Sequence, residues 1–369
     1  MDDAAFVPVP SILPQDGRFG SGPTRIRPEQ ISALAHAPLG TSHRARPVIE
    51  LVGQVRTQLA ELLKVPEGYE IALGNGGASL MWEALTFSLV RERAAHAVCG
   101  EFGGKFAALT DAAPHLGESI IHRAEPGQWV GVNGADDADT LAFAHNETST
   151  GMLSPLDPVG EHDADQLVVV DATSIAGAVS VDLAGIDVYY FSAQKALGSD
   201  GGLWFAALSP AAIERIERVT RERWVPPMLN LATALNNSRK DQTYNTPAIA
   251  TLALLAGQLD YLIERGGLAA AEAHCRGLSE SLYIWAEGHD RAAPFVAEPR
   301  HRSPVVATID LFEVDADEVR AELAARAGIV DIAPYRSLGR NQIRIGCYPS
   351  VDAADVAALI EWLDWALAR

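Results

Sequence analysis

Four apolar residues in a row, Leu167-Val168-Val169-Val170, end on a carboxylate, Asp171, and this narrows the fold more than any other feature of the chain. A strand exposed on one face alternates apolar and polar side chains, whereas an unbroken valine-rich run suits a strand covered on both faces. Val188 to Phe191 is a second such run, and Tyr69 to Leu73 reads as a further strand. Around them lie longer segments with helical spacing. Pro47 to Val65 sets Val48, Leu51, Val55, Leu59 and Leu63 on one side, and Ala78 to Val90 is another helix candidate. Short buried strands alternating with helices predict an α/β fold, a mostly parallel sheet between helices.

The texture changes near residues 250–265. A helix pattern from about Thr246 to Glu264 stops at Gly266-Gly267, and a second helix runs from Leu268 to Ala286. Then come a strand (Val305 to Phe312), a helix (Asp315 to Ala327), a strand (Gln342 to Cys347) and a closing helix (Asp352 to Leu367). At 369 residues the chain exceeds the length at which one core usually stops growing, roughly 250–300 residues. It is expected to divide into an extension at 1–15, a large domain at 16–255 and a small α+β domain at 256–369.

Lys and Arg total 29 against 48 Asp and Glu, a formal charge of −19. So acidic a body repels nucleic acid and anionic membrane, and neither is expected as a partner. An anionic small molecule would need arginines gathered locally. Cys99, Cys275 and Cys347 are too few and scattered for a disulfide framework or a CxxC metal site, so no metal is expected and all three read as buried thiols. Met1 to Pro14 carries Asp2 and Asp3 where a secretory signal would be basic. The best apolar run, Ile249 to Ala256, is far shorter than the ~20 residues that span a bilayer. A soluble, cytoplasmic protein is the expectation.

Three elements carry chemistry. Lys195 follows the second buried run among small residues, where desolvation would lower its pKa and make its amine nucleophilic toward a carbonyl. An ordinary loop lysine is the alternative. Asp171 ends a buried strand and points into the crevice where α/β proteins hold ligands, or else caps the following turn. Gly74-Asn75-Gly76-Gly77-Ala78-Ser79 lies between a strand and a helix, as a phosphate cradle or simply a turn. Together they supply a phosphate site, an acid for a ring nitrogen and a lysine 24 residues beyond that acid (195 − 171).

That order, with Phe19-Gly20-Ser21-Gly22-Pro23, Ser42-His43-Arg44, Asn146-Glu147-Thr148, Asp171-Ala172-Thr173-Ser174, Ala193-Gln194-Lys195, Tyr244-Asn245-Thr246-Pro247 and Arg344, resembles the phosphoserine aminotransferases over nearly the whole chain. These belong to the class V aminotransferases and to pyridoxal-phosphate (PLP) fold type I. The resemblance implies a mostly parallel seven-stranded sheet in the large domain and PLP held by Lys195 as a Schiff base. It implies Asp171 at the pyridinium nitrogen, Thr148 at the 3′ oxygen and Phe102 stacked on the ring. Ala78, Ser79 and Gln194 would bind the cofactor phosphate, joined by Asn245 and Thr246 of a second subunit. His43 and Arg44, also from across a homodimer with shared active sites, would meet the substrate's phosphate or distal carboxylate. Arg344 would clamp the α-carboxylate.

The implied reaction is a ping-pong transfer of the amino group from L-glutamate to 3-phosphohydroxypyruvate, giving O-phospho-L-serine and 2-oxoglutarate. Two departures stand out. Many relatives have an arginine in the glycine-rich cradle and a His-Arg pair before the terminal strand, where this chain has Ala78-Ser79 and Tyr335-Arg336. Arg46 and Arg336 are the expected substitutes, with Arg336 and Arg340 as solvated surface charges the alternative. The competing activity is another class V aminotransferase, of the alanine/serine–glyoxylate or –pyruvate type. A cysteine desulfurase would need a thiol on a mobile loop, and a non-catalytic PLP-fold module would have lost Lys195 or Asp171.

Overall fold

The computed structural model describes residues 9–133, 135–156, 163 and 165–368, so the first eight residues of the expected extension lie outside them. In chain order the elements are α1 (Pro28–Leu34), α2 (Arg46–Leu62), β1 (Glu70–Asn75), α3 (Gly77–Ser88), β2 (Ala94–Val98), α4 (Glu101–Asp111), β3 (Ile120–Arg123), β4 (Thr140–Ala144), β5 (Asn146–Glu147) and β6 (Met152–Leu153). They continue with β7 (Leu167–Asp171), β8 (Val188–Ser192), β9 (Leu203–Leu208), α5 (Pro210–Glu222), α6 (Leu231–Ser238), α7 (Ile249–Glu264) and α8 (Gly267–Glu287). Last come β10 (Ala292–Pro294), β11 (Val306–Leu311), α9 (Ala316–Ala327), β12 (Gln342–Gly346) and α10 (Ala353–Leu367).

Seven strands form one sheet in the order β1-β9-β8-β7-β4-β2-β3. Only β9 runs against its neighbours, so the mostly parallel seven-stranded sheet expected above is the one that forms. Its centre explains the unbroken apolar run. Val168 and Val170 of β7 pack into one core, with Leu59 of α2 and Leu259 of α7. Leu167 and Val169, pointing the other way, join a second core with Leu85 of α3, Ile216 of α5 and Leu235 of α6. Both faces of the strand are covered, so neither tolerates a polar side chain.

A second, antiparallel sheet, β10-β11-β12, carries the expected C-terminal α+β block. Its Ile309, Ile343 and Ile345 share the first core with Leu323 of α9 and Trp362 of α10. α7 begins later than its sequence pattern predicts. Its N-cap is Ala248, with no side-chain cap, so neither Asn245 nor Thr246 caps it. Pro247 accounts only for Thr246 lying outside the helix, because the residue before a proline is pushed out of helical backbone. No helix among the described residues is long and apolar enough to cross a membrane.

Candidate active site

A cavity of about 390 Å³ opens where the carboxyl ends of β4 and β7 and the turn after β8 face the first turn of α3. The register places these ends level, Ala144 opposite Asp171 and Asp171 opposite Tyr190. Lys195, Asp171, Gln194, Thr148, Phe102, Ala78 and Ser79 all line it, so seven residues singled out from sequence meet in one place.

Lys195 Nζ donates to the Ser21 carbonyl at 2.9 Å, and that oxygen also accepts from Tyr348 Oη at 2.8 Å. Burial draws the lysine's pKa down to about 8; the positive charge of Arg344 adds to this, and Asp171 and Glu147 oppose it. The side chain has no slack. A Cβ on Gly22, whose φ is +124°, would sit 2.2 Å from Lys195 Cδ and 2.5 Å from Nζ.

Asp171 serves both readings offered by its sequence. Its Oδ1 accepts the Thr173 N–H at 2.9 Å, a turn cap. Its Oδ2 accepts from Trp82 Nε1 (3.0 Å) and Tyr190 Oη (2.9 Å), two buried donors that hold the carboxylate at the cavity wall. Sequence reasoning missed both. The signal for Tyr190 was its place one strand over from Asp171 at the end of a buried run.

The cradle is Gly76-Gly77 at the start of α3. Both have positive φ, +113° and +69°, the left-handed region that glycine enters without strain. They turn the chain so that the helix presents its first N–H groups, which have no partner inside the helix, to the cavity. Asn146 Oδ1, Thr173 Oγ1 and Gln194 Oε1 are buried there without a protein partner among the described residues. Orphaned polar atoms, an anion-binding helix start, a carboxylate and a desolvated lysine together fit a phosphorylated, carbonyl-bearing pyridine.

Arg344 of β12 approaches from the C-terminal sheet. Its Nη1 donates to the Thr148 carbonyl at 2.9 Å, and its Nε is buried without a partner among the described residues. Tyr335, one of the departures from the family pattern, sits between sites. Its ring lies 5.3 Å from the Arg344 guanidinium and 5.5 Å from Phe102, and its hydroxyl accepts from Lys105 Nζ at 3.0 Å. Lys105 and Glu147 lie beside these residues, and the sequence reading gave neither a role.

The remaining predicted residues lie elsewhere. Thr246 Oγ1 and His43 Nδ1 share a 3.0 Å hydrogen bond, and Arg44 donates to Gln242 Oε1 and to the Tyr244 carbonyl. Asn75 Nδ2, beside the cradle, donates to Asn245 Oδ1 (2.7 Å) and the Thr246 carbonyl (2.8 Å). This His43–Arg44–Asn245–Thr246 patch does not line the Lys195 cavity of its own chain. Arg46 is 88% exposed and pairs with Glu50 at 2.6 Å, and Arg336 is exposed in the short helical turn Arg336–Leu338. Arg340 pairs with Asp310 at 2.8 Å. The three cysteines are free and buried, with burial pushing Cys99 up to about 11 and Cys347 to about 12, so none is a ready nucleophile.

Residues 132–357 match the aminotransferase class-V family. The chain is 46% identical to a phosphoserine aminotransferase of Rhodococcus opacus (strain B4), covering 100% of both chains. It is 49% identical to one from a Nocardioides species, covering 99% of each. Its fold matches the crystal structure of a Cytophaga hutchinsonii phosphoserine aminotransferase with a TM-score of 0.86 at 23% identity, over 95% of this chain and 98% of that one. A pyridoxamine–pyruvate aminotransferase from Mesorhizobium loti matches at 0.84 and 18% identity, over 97% and 93%. The fold is therefore shared by proteins of different named activity, and substrate choice is a matter for the site.

Proposed function

This chain belongs to the class V aminotransferases, and on that premise we propose that it is a PLP enzyme moving the amino group of L-glutamate to 3-phosphohydroxypyruvate, with O-phospho-L-serine and 2-oxoglutarate as products. The observation that carries the reading is a lysine amine held down to about 8 in one cavity with Asp171 and the first turn of α3.

Lys195 Nζ would hold the cofactor in the resting protein and, once freed, would carry the proton from the substrate Cα. A value near neutrality suits both tasks, since the amine can lose and regain a proton at working pH. Ala78, Ser79 and Gln194 would bind the cofactor phosphate, Asp171 would keep the ring nitrogen protonated, and Thr148 and Phe102 would hold the ring. PLP, when bound, supplies an electron sink for the charge that develops at Cα. Arg344 receives the α-carboxylate with a planar fork that matches it.

We further propose a homodimer with shared active sites. His43, Arg44, Asn245 and Thr246 stand outside their own chain's cavity, beside half-exposed Met228 and Tyr244, as an interface would require. In that arrangement Asn245 and Thr246 reach the neighbour's cofactor phosphate, and His43 and Arg44 meet the distal anion of its substrate. We propose two domains, a large one built on the seven-stranded sheet and a small one built on β10–β12, α9 and α10, so that Arg344 rides on the small one.

The test is an acceptor panel on the PLP-loaded enzyme after glutamate has bleached its visible band. Turnover is expected with 3-phosphohydroxypyruvate well above pyruvate, glyoxylate and oxaloacetate. No bleaching would remove the aminotransferase reading, and a preference for pyruvate or glyoxylate would replace the phosphorylated substrate by a small keto acid.

A further inference from the structure

Glu147 is the most deeply buried carboxylate beside the cavity, 1% exposed, and none of the roles above uses it. It occupies β5, one residue before Thr148. Its two oxygens accept from the Phe102 N–H at 3.1 and 3.3 Å, and Oε2 also accepts from the Gly103 N–H at 3.0 Å. Oε1 accepts from the N–H (3.2 Å) and the hydroxyl (2.7 Å) of Ser149. Phe102 and Gly103 belong to the first turn of α4, so the carboxylate sits on that helix's positive end and satisfies N–H groups the helix itself leaves open.

The fit leaves no spare room. Gly100, just before α4, could not carry a side chain, because a Cβ would lie 2.4 Å from Glu147 Cγ. Burial pushes the carboxyl above its ordinary range, and the bonds from Gly103, Ser149 and Phe102 offset this only in part. Donors on both oxygens are what an ionised carboxylate needs.

The backbone of Thr148, the residue after Glu147, holds the other side of the site. The Thr148 carbonyl anchors Arg344 at 2.9 Å, and Thr148 itself lines the cavity. Phe102, at the other end of the Glu147 bonds, has Lys195 Nζ 5.9 Å from its ring centre.

We propose that Glu147 is a positioning residue: through the first turn of α4 it fixes the Phe102 ring, and through its own place in β5 it fixes Thr148 and with it Arg344. One buried anion thereby sets the cofactor's face contact and the substrate's carboxylate contact in a single frame. The proposal rests on the aminotransferase reading. It has a second consequence, because Glu147 is also one of the negative charges that favour a positive charge at Lys195.

The test compares PLP-loaded Glu147→Gln with the parent. Gln keeps the size, loses the charge, and in either amide orientation turns an NH₂ toward backbone N–H groups that only donate, those of Phe102 and Gly103 or of Phe102 and Ser149. Three changes are expected: a weaker visible circular-dichroism band, because the ring is less firmly held; a lower pH midpoint for titration of the cofactor's visible absorbance, because a nearby anion is gone; and both half-reactions slowed about 10- to 100-fold, as misplacement by a fraction of an ångström does. A variant with the parent's band, midpoint and rates within about twofold, changed only in melting temperature, would overturn the proposal and leave Glu147 a packing residue. Should Glu147→Gln fail to fold, Glu147→Asp asks the same question. It keeps the charge and withdraws it by one methylene, so the band and rates should fall while the midpoint stays. An unaltered band and unaltered rates would again overturn the idea. The parent's own bleaching by glutamate reads the underlying function separately, so its failure is not confused with that of Glu147.

Discussion

The Lys195 cavity and the His43–Arg44–Asn245–Thr246 patch are built on opposite principles. The first hangs on strand ends whose positions a seven-stranded sheet fixes, with Asp171 held by Trp82 and Tyr190 and Lys195 wedged against Gly22. The second lies on two loops and is largely exposed; one bond, His43 to Thr246, closes it, and the rest tie Arg44 to Gln242 and Tyr244 and tie Asn245 and Thr246 to Asn75. The comparison teaches a division of labour. Groups that handle protons are kept buried and rigid by one chain. In the proposed dimer, groups that would meet the variable end of a substrate are left on a surface that the second subunit would complete.

The largest effect should come from breaking the buried half. Lys195→Ala removes both the covalent anchor and the proton carrier, and turnover should fall by roughly 10⁴-fold or more. Arg44→Ala should be strongly impaired from the other half. If the two halves come from different subunits, mixing the two variants under conditions of subunit exchange should restore part of the activity, since a hybrid dimer holds one intact site. No recovery in steady-state assays, with exchange confirmed by mass spectrometry, would return the patch to a role within its own chain.

The next effect separates the two ends of the substrate. In the proposed reaction Arg344 would meet a carboxylate that glutamate and phosphoserine share, so Arg344→Ala should slow both half-reactions alike. A lost bidentate contact costs about 2–4 kcal/mol, or roughly 30- to 1000-fold in kcat/KM. Arg44→Ala should change the ratio between the phosphorylated substrate and glutamate instead. Single-turnover rates decide, and equal losses for both substrates in Arg44→Ala would erase the proposed distinction.

Much of the buried half was legible in the sequence because it obeys local rules. The Leu167–Asp171 run reads as a doubly covered strand, Gly76-Gly77 as a turn into a helix, and Lys195 as a desolvated amine. What was not legible depended on groups distant in the chain. Trp82 reaches Asp171 across 89 residues and Lys105 reaches Tyr335 across 230, separations that no local pattern encodes. β2 and β4 escaped notice because Ala94-Ala95-His96-Ala97-Val98 and Thr140-Leu141-Ala142-Phe143-Ala144 are rich in small residues and lack the valine-rich signature. Arg46 and Arg336 were expected to stand in for the missing family arginine and His-Arg pair because arginine is the usual phosphate ligand. Within one chain both are exposed, and the cation placed beside Tyr335 and Phe102 is Lys105.

Rigidity on the buried side can be tested without touching a functional group. Gly22→Ala adds one methyl where Lys195 Cδ already lies, at a φ that alanine disfavours. The lysine must shift, and a displacement near 1 Å costs about 100-fold in rate. The purified variant should keep its fold by far-UV circular dichroism yet lose turnover. Near-parental activity would mean the Lys195 side chain has freedom that the packing denies it.

The smallest expected effect is the most specific to the buried half, because it follows from desolvation alone. A lysine at its ordinary value of 10.5 is almost wholly protonated at pH 7 and pH 9, and its reactive fraction rises nearly a hundredfold between them. Lys195, drawn down to about 8 by burial and by Arg344, should be about 9% neutral at pH 7 and about 91% neutral at pH 9. Its reactivity should therefore rise only about tenfold over that range and then level off. Lower pH adds the proton and slows the reaction; higher pH removes it. Reductive methylation of the cofactor-free protein, followed residue by residue by mass spectrometry, measures this directly. A short lysine-containing peptide treated in parallel supplies the steeper reference curve. A Lys195 curve parallel to that of the peptide would show that the site does not dry its lysine, and the contrast between the two regions would lose its physical basis. Arg344→Ala removes the second cause of the lowering, so the Lys195 curve should then move to higher pH.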